Sequence, residues 1–149
     1  MKYAPRDVFE QILEWAVIPT FDLIIEIEGK GFLLVKRTIE PYKNQWALPG
    51  LRMYKDESID DTIVRIAKQE VGIAIDPTEK VLVGQYVGKF KTEHQRQDIS
   101  TGYYFKLPAS TEIMINSEHF SLYRLTRKVP SGTGAMYKYY INKAIENSL

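Results

Sequence analysis

The residues best suited to chemistry cluster between Trp46 and Ile73, in the stretch WALPGLRMYKDESIDDTIVRIAKQEVGI. A Gly-containing loop there feeds a helix N-terminus, where free backbone N–H groups and the helix dipole favour a phosphorylated ligand. Within the helix Ile59, Ile63, Ile66 and Glu70 recur at i, i+4, i+7 and i+11, so one carboxylate shares a stripe with three isoleucines. Such a carboxylate is either a metal ligand or a solvated residue at the helix end. Asp22 stands beside a run of Leu and Ile, either as a strand end facing water or as a polar contact at the mouth of a site. The polar run Lys91 to Thr101, KTEHQRQDIST, is either solvated or a place where substrate-binding residues collect. The chain has no cysteine, which excludes disulfides, thiolate metal sites and a Cys nucleophile.

These groups need a scaffold, and the pattern around them supplies one. Ser58-x-x-Asp61 predicts a capping box at the helix start, with Asp56 and Glu57 adding negative charge there, and Gly72 predicts its C-cap. Residues 5 to 18 predict an earlier helix ended by Pro19. Thr20 to Glu28 and Phe32 to Arg37 predict two strands turning at Gly29-Lys30-Gly31. Further strands are predicted at Trp46 to Leu48, Val81 to Phe90, Gly102 to Leu107 and Phe120 to Arg127, and a closing helix from Gly134 to Asn147. The expected fold class is α+β, a single domain over residues 1–149. Lys+Arg 20 against Asp+Glu 19 leaves a net charge of +1, which gives no global basic excess for nucleic acid. No apolar run spans a bilayer and the N-terminus lacks a signal-peptide layout, so a cytoplasmic protein free of membrane is expected.

The central stretch resembles the Nudix hydrolase signature, G-x5-E-x7-R-E-U-x-E-E-x-G-U, where U is a bulky aliphatic residue. Glu57, Arg65, Glu70, Gly72 and Ile73 fall in register, and the upstream FLLVKR, Trp46 and Leu48-Pro49-Gly50 belong to the same pattern. Four positions differ: Leu51 replaces the box Gly, Ile66 and Gln69 replace two Glu, and Ala67 replaces the bulky aliphatic. The resemblance implies a mixed β-sheet sandwiched between helices. It implies too that one helix carboxylate remains where the family pattern has three, enough for one Mg²⁺ and not two.

The chain is similar in particular to the GDP-mannose mannosyl hydrolase branch, from Phe9, Pro19 and Asp22 through Lys36-Arg37, Tyr103 and Ser117-Glu118-His119 to Tyr123-Arg124. That resemblance implies water attack on sugar carbon C1 with release of a nucleoside diphosphate, and a homodimer. Carried over by position, the Gly50 carbonyl and Glu70 hold Mg²⁺, while Arg37, Arg52 and Tyr103 contact diphosphate or sugar. Asp22 contacts substrate, and Arg65 braces or contacts the site. Counted back from Tyr123-Arg124, His119 lands on a Gln ligand position, and a one-residue shift makes it the general base. An imidazole's unperturbed pKa near ~6.5 suits that role. Two other readings stand beside this one: attack at phosphorus on an ADP-ribose-like substrate, and a sugar-nucleotide-binding domain without turnover.

Overall fold

The computed structural model describes residues 3–149. In chain order its elements are α1 (Arg6–Trp15), β1 (Val17–Ile27), β2 (Gly31–Arg37), β3 (Trp46–Ala47), β4 (Gly50–Arg52), α2 (Ile59–Val71), β5 (Val81–Lys89), β6 (Gln97–Leu107), β7 (Phe120–Thr126) and α3 (Ala135–Glu146). The sheet runs β3-β2-β1-β6-β5, with β4 added to β1 and β7 to β2. Among the named strands of the described residues, β1 and β6 alone pair in parallel, in unbroken register from Val17 opposite Gln97 to Ile27 opposite Leu107; the other strand pairs are antiparallel. The result is a mixed sheet between helices, the α+β arrangement expected above.

Local chemistry explains the central helix. Ser58 Oγ accepts from the Asp61 N–H, and Asp61 Oδ2 accepts from the Ser58 N–H, each at 3.0 Å. The other end stops at Gly72, whose φ of 66° is the left-handed conformation glycine adopts without a Cβ clash. Ile63, Ile66, Ala67 and Val71 are fully buried in the core, whereas Ile59 at the first turn is 42% exposed. The closing helix turns Met136, Tyr137, Tyr140, Ile141 and Ala144 inward.

Three boundaries differ from the sequence reading. α1 ends at Trp15, and Pro19 lies inside β1 instead of terminating the helix. A proline fits there because its missing N–H costs nothing while its carbonyl accepts from the Met53 N–H at 3.1 Å. Gly50–Arg52, expected as loop, is a short strand paired with Thr20–Asp22. β6 begins at Gln97, five residues before the predicted start at Gly102, because β1 supplies a parallel partner for a polar segment. α1 buries no residue, and Val8, Ile12 and Trp15 remain exposed along it. Among the described residues no helix is long and apolar enough to cross a membrane.

Candidate active site

Glu70 closes the apolar stripe of α2 yet is fully buried. Its two carboxylate oxygens lie 2.8 and 3.1 Å from Nδ1 of His119, which arrives from the segment before β7. Two backbone bonds hold that segment in place: the Asn116 N–H donates to the Glu70 carbonyl at 2.9 Å, and the Thr38 N–H donates to the His119 carbonyl at 2.8 Å. Burial raises the Glu70 pKa, opposed by the charge and hydrogen bond of His119. When Glu70 is ionised its carboxylate only accepts, so Nδ1 is the donor and, in the neutral ring, Nε2 carries the lone pair.

His119 also lines a cleft of about 210 Å³ together with Thr20, Asp22, Arg37, Gly50 and Asp98. The parallel strands form its floor. Register places Thr20 opposite Ser100 and Asp22 opposite Gly102, so side chains of both parities alternate in step across β1 and β6. Ser100 Oγ donates to Asp22 Oδ2 at 2.5 Å, and the Tyr140 hydroxyl of α3 reaches Ser100 Oγ at 2.9 Å. Gly50 lies so close to Asp22 that a Cβ there would meet the carboxylate. Burial pushes the Asp22 carboxyl up to about 7, against the Ser100 hydrogen bond and the Arg37 charge, with Asp98 adding to the rise.

Cations line the rim. Arg37 donates from Nε to the carbonyl of Pro41 and, at 3.3 Å, to that of Ile39. The Arg52 guanidinium stacks between aromatic rings, 4.1 Å from Phe9 and 4.7 Å from Tyr54. Burial lowers its pKa, opposed by Tyr54 and Tyr3 and reinforced by the nearby charges of Arg96 and Arg65. A cation so placed attracts an anion. Arg65, in contrast, is already satisfied: it donates to Glu57 at 2.7 and 2.9 Å and to the Arg52 carbonyl at 2.7 Å, ties that lock α2 to β4. It braces the strand that carries Gly50 and Arg52 and does not line the cleft.

The structure thus gathers Asp22, Arg37, Gly50, Arg52 and His119 around one cavity, with Glu70 behind His119 and Arg65 outside. Tyr103 does not join them. It pairs in register with Leu23, is buried on the opposite face from Asp22, and packs against Phe21 with ring centroids 5.8 Å apart. His94 bonds Glu14 of α1 at 3.0 Å. Residues that the sequence reading missed are Thr20, Arg96, Asp98, Ser100 and Tyr140. The polar run Lys91 to Thr101 was the one signal for three of them.

As donors for a cation, Glu70 and His119 supply one carboxylate and one imidazole. Among the described residues no third His, Cys, Asp or Glu joins them. At the family's other two Glu positions, Ile66 is packed in the core and Gln69 is exposed beside Arg65. That donor set suits a single divalent ion completed by carbonyl, water and phosphate oxygens, and not a pair.

The NUDIX domain family model matches residues 18–129, which takes in the cleft and the helix behind it. The chain belongs to the Nudix family. Curated relatives include the low-salt glycan biosynthesis protein Agl8 of Haloferax volcanii, 30% identical over 95 residues, or 64% of this chain and 56% of that protein. Another is the ADP-ribose pyrophosphatase of Methanocaldococcus jannaschii, 40% identical over 65 residues, or 44% of this chain and 37% of that protein. The matches therefore span about half or less of those relatives. Among solved structures, the NUDIX domain of Shewanella oneidensis NrtR complexed with ADP ribose superposes with TM-score 0.73 at 16% identity, covering 99% of this chain and 95% of that one. The MutT NUDIX hydrolase of Burkholderia pseudomallei gives TM-score 0.72 at 17% identity, covering 85% and 96%. At such identities these two establish the Nudix fold.

Proposed function

We propose that this Nudix protein hydrolyses a nucleoside diphosphate joined to a sugar, GDP-mannose-like compounds first, by water attack at the anomeric carbon. The observation that carries the reading is His119: a buried carboxylate holds its Nδ1 while the ring lines the cleft floored by Asp22. Nε2 takes a proton from the attacking water. The bond from the anomeric carbon to the bridging oxygen breaks, its electron pair leaves with the nucleoside diphosphate, and the water oxygen stays on the sugar. Negative charge grows on the departing diphosphate, where Arg52 and Arg37 stabilise it. A Mg²⁺ ion held by Glu70 and the Gly50 carbonyl would supply further charge neutralisation. His119 serves as base or as metal ligand and not both, since ligation through Nδ1 places its proton on Nε2.

Attack at phosphorus is a second reading, favoured by the ADP-ribose pyrophosphatase among the relatives. The apolar Ile66 and neutral Gln69 weigh against it, because they remove the carboxylates that a pair of cations would need. Incubation with GDP-mannose and ADP-ribose plus Mg²⁺ separates the readings by product. Free sugar with nucleoside diphosphate is expected. Sugar phosphate with nucleoside monophosphate would move the attack to phosphorus, and binding without products would remove the enzyme.

A further inference from the structure

Two cavities meet at this site, and their walls differ. The cleft of about 210 Å³ has a polar floor, whereas the neighbouring pocket of about 520 Å³ is walled by Leu13, Arg6, Glu10 and His94, with Phe9 lining both. Arg52 and Arg96 line both. A diphosphate has to lie where cations stand between the cavities, so the groups it joins are divided between them. The larger pocket offers Phe9 and Leu13 as apolar surface beside polar groups such as Glu10 and His94, a combination that suits a flat base. The smaller cleft is left for the sugar, and His119 is on that side.

Its floor holds an unspent group. Thr20 is 8% exposed, and its Oγ1 is buried with no hydrogen-bond partner. An orphaned buried hydroxyl loses its hydration without return, so a fold keeps one where something else satisfies it. On the adjoining strand Asp98 is 5% exposed and lines the same cleft; its Oδ1 accepts from Arg96 Nε at 2.7 Å. Register puts Asp98 opposite Ile18 and Ser100 opposite Thr20, so the hydroxyl and the carboxylate lie within two residues of each other along the parallel pair. One group accepts only; the other donates and accepts. Adjacent hydroxyls on a ring offer that same pairing in reverse, and a phosphate does not, because Asp98 repels it.

We propose that Thr20 and Asp98 are the specificity-determining floor of the cleft, binding adjacent hydroxyls of the sugar carried by the nucleoside diphosphate. The inference rests on the nucleotide-sugar reading above and adds which part of the substrate these two residues read. It is independent of whether water attacks carbon or phosphorus.

Calorimetric titration with ligand pairs that differ only in the appended sugar tests it: GDP-mannose against GDP, and ADP-ribose against ADP, each with and without Mg²⁺. In Thr20→Val the sugar-bearing member of the pair that binds is expected to weaken tenfold or more, with the bare diphosphate within twofold of the unmodified chain; in Asp98→Asn, which also frees Arg96, the advantage of the sugar-bearing member over its bare diphosphate is expected to fall tenfold or more. Thr20→Ser, which keeps the hydroxyl, restores affinity. Thr20→Val removes an unsatisfied group, so its melting temperature does not fall, and a loss of affinity is then not a loss of fold. Equal weakening of both members, or no change in either, overturns the proposal. If the unmodified chain binds the bare diphosphates and gains nothing from the sugar, the floor assignment fails while the diphosphate site survives. Binding of none of the four ligands takes down the nucleotide-sugar reading and this inference together.

Discussion

The carboxylates around α2 and those on the paired strands differ both in burial and in partner: Glu57 is half-buried, whereas Glu70, Asp22 and Asp98 are buried. Glu57, beside the N-terminus of the helix, faces the permanent cation Arg65. Burial alone would raise its pKa, but hydrogen bonds from Arg65, the Tyr54 N–H and Thr62 bring it below the ordinary value. Glu70, at the helix's other end, faces an imidazole, and burial keeps its pKa above the ordinary value. Asp22, on the strand floor, receives only a hydroxyl and is pushed up to about 7. Asp98 has Arg96 beside it and is still raised, because burial outweighs that pairing. Partner and burial together set how firmly each carboxylate holds its charge: the hold weakens from Glu57 with arginine to Glu70 with histidine to Asp22 with serine, and at Asp98 burial overrides an arginine. Glu57 serves as a structural anchor, Glu70 as an orienting group, and Asp22 as a carboxyl able to keep its proton near neutrality.

Removing the strongest partner gives the largest effect. Arg65→Met strands Glu57 without its cation and cuts the tie to the Arg52 carbonyl, so chemical denaturation should show a loss of about 3–5 kcal/mol. A loss under about 1 kcal/mol would mean that the pair is not the anchor its geometry describes. Glu70→Gln comes next. The amide keeps the shape but no longer fixes Nδ1 of His119 as the donor, and turnover should drop by about 10²-fold or more while the fold survives. Nitrogen NMR of the imidazole would report the change directly, as loss of the single tautomer with its proton on Nδ1. Unchanged turnover in that variant would remove both of Glu70's proposed uses, as orienter and as metal ligand.

The same contrast explains what could be read from the chain. α2 was legible because its signals are local: Ser58 with Asp61 at one end, Gly72 at the other, and an isoleucine stripe between. Glu70 could be placed on that stripe, but its burial could not be foreseen, because His119 lies 49 positions away. The strand floor was illegible for the same reason. Ser100 meets Asp22 from 78 positions off and Tyr140 from 40. Gln97 to Thr101 reads as a polar loop until β1 arrives to pair with it. Tyr103 shows the limit of positional matching: its identity fits the family pattern, but parallel register turns it to the face away from the cleft.

Asp22 gives the smallest change over any one pH unit and the finest test of the comparison. The unfolded chain holds that carboxyl at its ordinary value of 3.8, and the folded chain holds it near 7. Between those values the folded state binds more protons, so the contribution is fully present below the lower one and is lost as pH rises through the upper one. The expected slope is about 1.4 kcal/mol per pH unit between pH 5 and 6, falling with rising pH. Asp22→Asn cannot ionise, and its amide oxygen still accepts from Ser100, so denaturation midpoints measured across that window should lose this slope. Glu57 runs the other way: its lowered pKa gives stability that is present above its unfolded value and lost as pH falls through the folded one. Subtracting the Asp22→Asn profile from that of the unmodified chain cancels the Glu57 contribution, since the two groups do not touch. If the difference is flat from pH 4 to 7, Asp22 is ionised throughout, Ser100 and Arg37 together outweigh its burial, and the ordering of partners by charge does not hold on the strand floor.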